Sequence, residues 1–167
     1  RVMANGKRPS FRDHAPALKA AADSKVVLVY GPSEYLLNFS IERLRKAATK
    51  GGMVSQTMEA AALNDTNLPS LTSQASLFEP SSLYILRRVE QAKNLAKLLK
   101  QIPQGDTLAN HLLFVLQGEG PQAPLKAELG RLKAKTVPCF EPWPGEMPDA
   151  VAQIADALGL RLAQDAV

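Results

Sequence analysis

The sequence predicts an α/β domain of three layers, in which about five mostly parallel strands lie between helices. Uninterrupted apolar runs are typical of strands buried on both faces, and such runs occur at 26–30 and 112–116. Between them, hydrophobic residues recur at the spacing of amphipathic helices. This alternation is the pattern of parallel βαβ units. With 46% hydrophobic residues, a chain of 167 residues has enough apolar side chains for one main domain.

The first half of the chain alternates helices with strands. Residues 1–9 have no hydrophobic periodicity and are expected to form a flexible lead-in. The longest helix should stop at a pair of glycines, 51–52. In order, the patterns predict a helix at 10–23, a buried strand at 26–30, a helix at 36–48, a weaker strand at 53–58 and a short helix at 68–71.

The second half continues the alternation. Pro138 suits the edge of a sheet better than its centre, because proline has no N–H to donate to a neighbouring strand. A basic amphipathic helix at 90–101 should point Leu95, Leu98 and Leu99 inward. The other predicted elements are strands at 82–86, 112–116 and 136–140, a helix at 124–132, and a helix at 148–158 with Ala150, Val151, Ile154 and Leu158 inward.

The chain is expected to divide into three segments. After the lead-in of 1–9, the α/β domain covers 10–143 and ends in a proline-rich stretch. Residues 144–167 would hold a helix and the start of a further, truncated module. Because the sequence opens at Arg1 and stops soon after this new segment begins, we expect a piece of a longer protein.

Composition argues against several classes of protein. Cys139 is the only cysteine, which excludes an internal disulfide and a cysteine-rich zinc site. His14 and His111 have no cysteine or carboxylate motif at ligand spacing, so we expect both at the surface or at a strand edge, and no metal. No apolar run reaches the roughly 20 residues that span a bilayer. A net charge of +4 permits contact with nucleic acid without requiring it. We therefore expect a soluble, cytoplasmic protein.

A phosphate-binding loop would lie at the turn after the first predicted strand. Counting the pattern G-x-x-x-x-G-K-[ST] from Gly31 places Leu36, Leu37 and Asn38 where the second glycine, the lysine and the hydroxyl should be. Without the lysine and the hydroxyl, the turn can neither neutralise phosphate nor hold magnesium. An arginine pair at 87–88 stands where an acidic pair would be needed. We expect a P-loop-like architecture without ATP hydrolysis, and no cofactor.

Basic residues after the third predicted strand form a candidate DNA-facing surface. Lys93, Lys97 and Lys100 are expected on one helical face, and Arg87 and Arg88 precede them. A solvated helix face explains the same residues, because few aromatic side chains are interleaved for base stacking. Both interpretations stay open.

Several stretches carry a family resemblance through their order and spacing. Residues 26–39 (VVLVYGPSEYLLNF) join a buried strand to a leucine-rich helix, and residues 76–88 (SLFEPSSLYILRR) lead from Ser-Leu-Phe into an apolar strand. With 112–118 and 158–167, they resemble the amino-terminal part of the delta subunit of bacterial DNA polymerase III, a component of the sliding-clamp loader. The resemblance implies an AAA+-like domain that does not hydrolyse ATP, with 158–167 starting a lid-like second domain.

The resemblance also implies a partner. Gln74, Ser76, Leu77 and Phe78 match the clamp-binding pentapeptide Gln-Leu-(Ser/Asp)-Leu-Phe, and Ala75 departs from it, which is expected to weaken binding. The delta subunit binds the ring-shaped sliding clamp and helps to hold it open for loading onto primed DNA. Neighbouring loader subunits, including ATPase subunits and a delta-prime-like subunit, would be further partners.

Three alternatives remain from the residues themselves. The adjacent Leu77 and Phe78 could belong to the core, as such pairs usually do. The chain could be a nucleotide-dependent enzyme of P-loop-like fold with an unrecognised site near Gly31. It could also be a general nucleic-acid-binding domain that uses its basic residues.

Overall fold

The computed structural model describes residues 8–73, 78 and 80–159. In this part of the chain, five strands form one sheet, and every strand pair in it is parallel. The order across the sheet is β2-β3-β4-β1-β5. The three-layer α/β fold predicted from the sequence is confirmed. The strands are β1 (Val26–Gly31), β2 (Val54–Glu59), β3 (Ser82–Arg87), β4 (His111–Gln117) and β5 (Lys135–Pro138).

Helices cover both faces of the sheet. Because side chains alternate along a strand, Val27 and Val29 of β1 face one layer and Leu28 faces the other. Helices α1, α2 and α6 lie on the first face, and α3, α4 and α5 lie on the second. The helices are α1 (His14–Ala21), α2 (Glu34–Lys50), α3 (Leu68–Thr72), α4 (Leu95–Leu99), α5 (Ala123–Arg131) and α6 (Met147–Ala157), with 3-10 turns at Phe11–Asp13, Ala60–Ala62, Val89–Gln91, Gly105–Thr107 and Pro144–Glu146.

The position of each strand explains its composition. The central strands β1 and β4 are buried on both faces, which requires their uninterrupted apolar runs. Strand β2 lies at one edge, and most of its side chains are exposed, so its apolar signal is weak. Strand β5 forms the other edge and ends at Pro138, as the missing proline N–H predicts.

Arg131 joins α5 to the end of α4 by hydrogen bonds. Its guanidinium donates hydrogen bonds to the carbonyl oxygens of Leu99 (2.8 Å), Ile102 (2.7 Å) and Pro103 (2.8 Å). Its Nε also donates to the Glu128 carboxylate at 2.9 Å. The planar fork of arginine suits this arrangement, since several donors leave one rigid group in different directions. These bonds reach carbonyl groups at the end of α4 and just beyond it, and that of Leu99 also accepts the N–H of Ile102 at 3.1 Å.

Two helical predictions were wrong in detail. The basic helix expected at 90–101 is a 3-10 turn at Val89–Gln91 followed by the shorter helix α4. Leu95, Leu98 and Leu99 are buried as predicted, whereas Lys93 lies before the helix begins. In α6, Ala150 is buried, but Val151 and Leu158 are 37% and 63% exposed instead of facing inward. The domain therefore covers only part of the apolar face of α6.

The segment before α1 contacts the domain through Arg8. The Arg8 guanidinium lies over the rings of Phe140 and Trp143, 5.0 Å and 4.9 Å from their centres. A cation at this distance is attracted to the electron-rich face of an aromatic ring. Pro9 is buried beside it. The described end of the predicted lead-in thus contacts the domain.

Helix α6 contacts the same amino-terminal segment. The Ser10 hydroxyl donates a hydrogen bond to the carboxylate of Glu146, and Arg12 forms an ion pair with Asp149 at 2.9 Å. These contacts cross the boundary expected after residue 143, and the division of the chain into three segments stays a prediction. None of the helices in the described ranges combines the length and the hydropathy needed to cross a bilayer.

Candidate protein-docking site

The segment that resembles the clamp-binding pentapeptide joins α3 to β3. Gln74, Ala75, Ser76 and Leu77 lie outside the described residues. Phe78 is described, and its side chain is 97% exposed, the highest value among the large hydrophobic side chains that the structure describes as exposed. A phenylalanine this exposed contributes nothing to the core. The alternative that Phe78 belongs to the core is therefore wrong.

The residues on either side of this segment are held by Asn110, which immediately precedes β4. Its side-chain amide donates to the carbonyl oxygens of Leu71 (3.1 Å) and Ser73 (3.2 Å) at the end of α3. Its side-chain oxygen accepts the backbone N–H of Ser82 at 3.0 Å, where β3 begins. One side chain thus joins the chain before the segment to the chain after it.

The turn between β1 and α2 is short and lacks the residues that bind a phosphate. Only two residues separate Gly31 at the end of β1 from Glu34 at the start of α2. The Ser33 hydroxyl accepts the N–H of Leu36 at 3.3 Å, so the free N–H groups that attract anions at a helix start are partly satisfied. Glu34 adds a negative charge to the first turn of α2. The turn is also closed by β5, because a Cβ on Gly31 would lie 2.0 Å from the carbonyl oxygen of Cys139.

The three positions that replace the phosphate-binding residues are helical. Leu36 and Leu37 are buried in α2 and pack in the core, and Asn38 is exposed on the same helix. None of them lines an open loop. This arrangement gives physical support to the interpretation of a degenerate nucleotide loop.

The arginine pair after β3 is only partly neutralised. Strand β3 ends at Arg87, which forms no ion pair within the described residues. Arg88 adopts a left-handed backbone conformation, with φ of 53°, and forms an ion pair with Glu59 at the end of β2. A positive charge at this position would repel a magnesium ion.

The candidate DNA-facing residues do not share one helical face. All three lysines are exposed; Lys97 lies within α4 and Lys100 caps its end with helical backbone angles, but Lys93 precedes the helix. The arginine pair lies at the carboxyl end of β3, whereas Phe78 precedes its amino end. A strand rises about 3.3 Å per residue, so β3 separates these two positions by about 20 Å. The exposed phenylalanine and the arginine pair therefore lie at opposite ends of the sheet.

His14 is buried, and its expected surface position was wrong. It is 3% exposed, and burial lowers its pKa to about 4. Its Nε2 lies 2.7 Å from the hydroxyl of Ser40, which itself donates to the Leu36 carbonyl oxygen. The histidine therefore donates to the serine. The ring centres of Phe11 and Phe39 lie 6.4 Å and 6.1 Å from that of the imidazole.

Cys139 and His111 are also at least half-buried, and burial shifts the pKa of each. Cys139 is buried as predicted, and burial raises its thiol pKa to about 11, so it is not a reactive thiolate. His111 is the half-buried first residue of β4, and burial with the nearby charge of Lys25 lowers its pKa. Over the described ranges, no group of three or more His, Cys, Asp or Glu side chains could hold a metal ion.

Neither family models nor curated proteins match this sequence. A solved structure of similar fold is the Bacillus subtilis DNA clamp loader delta protein (YqeN), with a TM-score of 0.59 and 14% sequence identity. The match covers 85% of this chain and 46% of that protein, so the chain spans about half the length of its structural relative. At this identity the likeness shows the fold alone.

Proposed function

We propose that this chain belongs to a noncatalytic clamp-loader subunit that binds a sliding clamp and helps to open the ring for loading onto primed DNA. Two findings support the proposal: the fold is shared with the Bacillus subtilis clamp loader delta protein, and residues 74–78 resemble a clamp-binding motif. The observation that carries it is the 97% exposure of Phe78, the last residue of that motif.

Docking through this motif has a simple physical basis. A large apolar side chain that is exposed in the free protein gains most when a partner pocket removes it from water. Leu77 and Phe78 would act as the anchors, each worth about 1.5–3 kcal/mol before the costs of association. Gln74 and Ser76 would satisfy polar groups at the rim of the pocket.

The proposed subunit does not itself use ATP. The short β1–α2 turn and the arginine pair lack the groups that hold a nucleotide and magnesium, so neighbouring ATPase subunits would drive loading. A delta-prime-like subunit would complete the loader, and the complex would work in the cytoplasm. Contact with primed DNA is indirect in this proposal, and Arg87, Arg88, Lys93, Lys97 and Lys100 remain candidate DNA-facing residues.

Titration of the sliding clamp from the same organism tests the proposal. The purified protein is compared with a Leu77→Ala/Phe78→Ala variant by calorimetry or biolayer interferometry. Loss of two anchors should weaken binding by about 100-fold or more, since each 1.4 kcal/mol corresponds to a factor of ten. Tyr35→Ala is the matched control, because Tyr35 is also an exposed aromatic side chain, 55% exposed, but belongs to α2.

The controls make the result interpretable. Tyr35→Ala should leave clamp affinity unchanged, and Phe78→Ala should leave thermal stability nearly unchanged because the ring is exposed. Equal affinity of the wild-type protein and the double variant would reject the proposed site. Ala75→Leu, which restores the second position of the motif, should strengthen binding.

A further inference from the structure

We propose that the groove between α1, α2 and α6 binds a small apolar acid that carries a hydrogen-bond donor. In this site His14 accepts a hydrogen bond from the donor, and Lys19 and Arg43 attract the acid. The groove is a space of about 400 Å³ that the three helices leave on one face of the sheet. The inference goes beyond the proposed docking function, which depends on a different part of the chain.

The groove has the size and the lining of a small-molecule site. Pockets for such ligands have volumes of about 300–1,000 Å³, and their walls are mostly apolar with a few placed polar groups. The groove lies within this range, and its apolar side chains come from all three helices and from the 3-10 turn before α1. Among them are Phe11, Leu18, Leu36, Phe39, Leu44 and Ile154.

One ring nitrogen of His14 faces the groove without a hydrogen-bond partner. The side chain is only 3% exposed, and its Nε2 is bonded to Ser40. Within the described residues, every side-chain nitrogen or oxygen that is closed to solvent has a hydrogen-bond partner. Nδ1 has none among these residues, so it must be open to solvent, and the groove is the space that His14 lines. A buried histidine thus leaves one polar atom for a bound molecule.

The hydrogen bonds of Ser40 determine what Nδ1 can do. The serine hydroxyl donates its one proton to the Leu36 carbonyl oxygen at 2.7 Å, so Nε2 of His14 must carry the proton between the two side chains. Burial lowers the pKa of His14 to about 4, which keeps the imidazole neutral at neutral pH. Nδ1 is therefore an acceptor, and its natural partner is a hydroxyl or N–H group of a bound molecule.

Two cationic side chains of the groove are available to an anion. Lys19 of α1 and Arg43 of α2 are exposed, and neither forms an ion pair within the described residues. The Arg43 guanidinium lies 5.4 Å from the centre of the Phe39 ring, which joins this charge to the apolar wall. Asp156 of α6 has the opposite charge, so the acid is expected beside α1 and α2.

Three probes of one apolar chain length test the site. ω-Hydroxyoctanoate carries both the donor and the acid, octanoate lacks the donor, and octanediol lacks the charge. In an NMR shift titration of the purified protein, ω-hydroxyoctanoate should bind about two- to tenfold more tightly than octanoate, the value of one hydrogen bond. It should bind about two- to fivefold more tightly than octanediol, the value of an exposed ion pair.

His14→Gln tests the acceptor, because glutamine keeps a donor for Ser40 and removes Nδ1. The variant should bind ω-hydroxyoctanoate no more tightly than octanoate, and its affinity for octanoate should equal that of the wild-type protein. If the variant does not fold, the imidazole ¹⁵N spectrum of the wild-type protein gives the answer. The Nδ1 resonance of His14 should shift with ω-hydroxyoctanoate more than with octanoate, because only the first probe has a hydroxyl to donate.

Lys19→Gln/Arg43→Gln tests the two cations. The double variant should bind both acids about two- to fivefold more weakly and leave octanediol binding unchanged. Lys46→Gln is the matched control, because Lys46 is an exposed cation of α2 outside the set of groove residues, and it should change the affinity for none of the probes.

The results distinguish a binding site from an unused cavity. Saturable shifts at groove residues, with the order of probe affinities given above, support the site. The absence of saturable shifts at millimolar ω-hydroxyoctanoate rejects it. Equal affinities for ω-hydroxyoctanoate and octanoate, or an equal loss of both in His14→Gln, would show that the histidine only supports the fold. None of these measurements involves a sliding clamp, so the site and the proposed docking function stand or fail separately.

Discussion

At the scale of single residues, burial determines the protonation state of His14. His14 lies near the rings of Phe11 and Phe39 and donates to Ser40, which in turn donates to the backbone of α2. The surroundings favour the neutral imidazole, because a charged ring would lose its hydration without gaining a carboxylate partner. His14 lines the groove together with two positively charged side chains and one negatively charged side chain, Lys19, Arg43 and Asp156. The histidine is thus a structural group held neutral.

The His14 environment predicts a pH dependence of stability. Its folded-state pKa of about 4 lies below the ordinary value of 6.5. Between these pH values, His14 is protonated in the unfolded chain but neutral in the folded protein. The free energy of unfolding therefore falls as the pH falls through this range. The full effect is up to about 3 kcal/mol, from 1.36 kcal/mol per pKa unit. Urea unfolding at pH 7.5, 5.5 and 4.5 measures it.

His14→Gln supplies the comparison, because glutamine can donate to Ser40 and does not titrate. The difference in unfolding free energy between wild type and variant should shrink or reverse as the pH is lowered. Parallel profiles for the two proteins would show that another group is responsible for the acid sensitivity.

At the scale of elements, the β1–α2 connection is fixed by close backbone contact with β5. The Ser33 N–H donates to the Cys139 carbonyl oxygen at 3.2 Å, and the Cys139 N–H donates to the Tyr30 carbonyl oxygen at 2.7 Å. Gly31 lies between these bonds with φ of 150°, a conformation that residues with a Cβ rarely adopt. The tight turn therefore also holds the edge strand in place.

The same substitution at two glycines should have opposite effects. Gly31→Ala should destabilise the fold by about 3–5 kcal/mol, because its Cβ would overlap the Cys139 backbone and the left-handed φ adds strain. Gly130→Ala should stabilise it by about 0.5–1 kcal/mol, because this exposed position in α5 has open space for a Cβ and alanine favours helix. Chemical denaturation of both variants tests the pair, and a mild effect at Gly31 would mean that β5 can move away from the turn.

The elements that the sequence could predict are those whose pattern is local. The apolar run at 26–30 and the glycines after α2 identify a buried strand and a helix end without information from elsewhere in the chain. Periodicity also identifies the apolar face of α6. It does not determine how much of that face another element covers, which is why Val151 and Leu158 were wrongly expected to face inward.

Residues whose contacts are distant in sequence could not be predicted. Asn110 bonds residues 28 to 39 positions away, and a single asparagine before a strand gives no sign of this. His14 has no neighbouring ligand motif, and its serine partner lies 26 positions further on. The docking motif could be proposed from sequence because it is contiguous, and the structure adds the exposure of Phe78.

At the scale of the whole molecule, α6 packs on the amino-terminal segment rather than standing apart. The Glu146 carboxylate accepts the Ser10 hydroxyl and the Trp143 N–H, and these hydrogen bonds lower the pKa of the carboxyl group. Trp143 also stacks against Arg8. If these contacts couple the segments, residues 144–157 should unfold together with the sheet and not as the independent unit expected from the sequence.

Trp143 reports on this coupling because it is the only tryptophan. During urea unfolding, its fluorescence and the far-UV circular dichroism, which follows all helices and strands, should give the same midpoint. Glu146→Gln, which weakens the bond to Ser10, should lower both midpoints together. Glu141→Gln is the control, since Glu141 is an exposed carboxylate close to Trp143 in sequence, and it should shift neither. A fluorescence transition that precedes the loss of circular dichroism would instead establish a separate unit beginning near residue 144, because the tryptophan would then leave its contacts while the sheet remains folded.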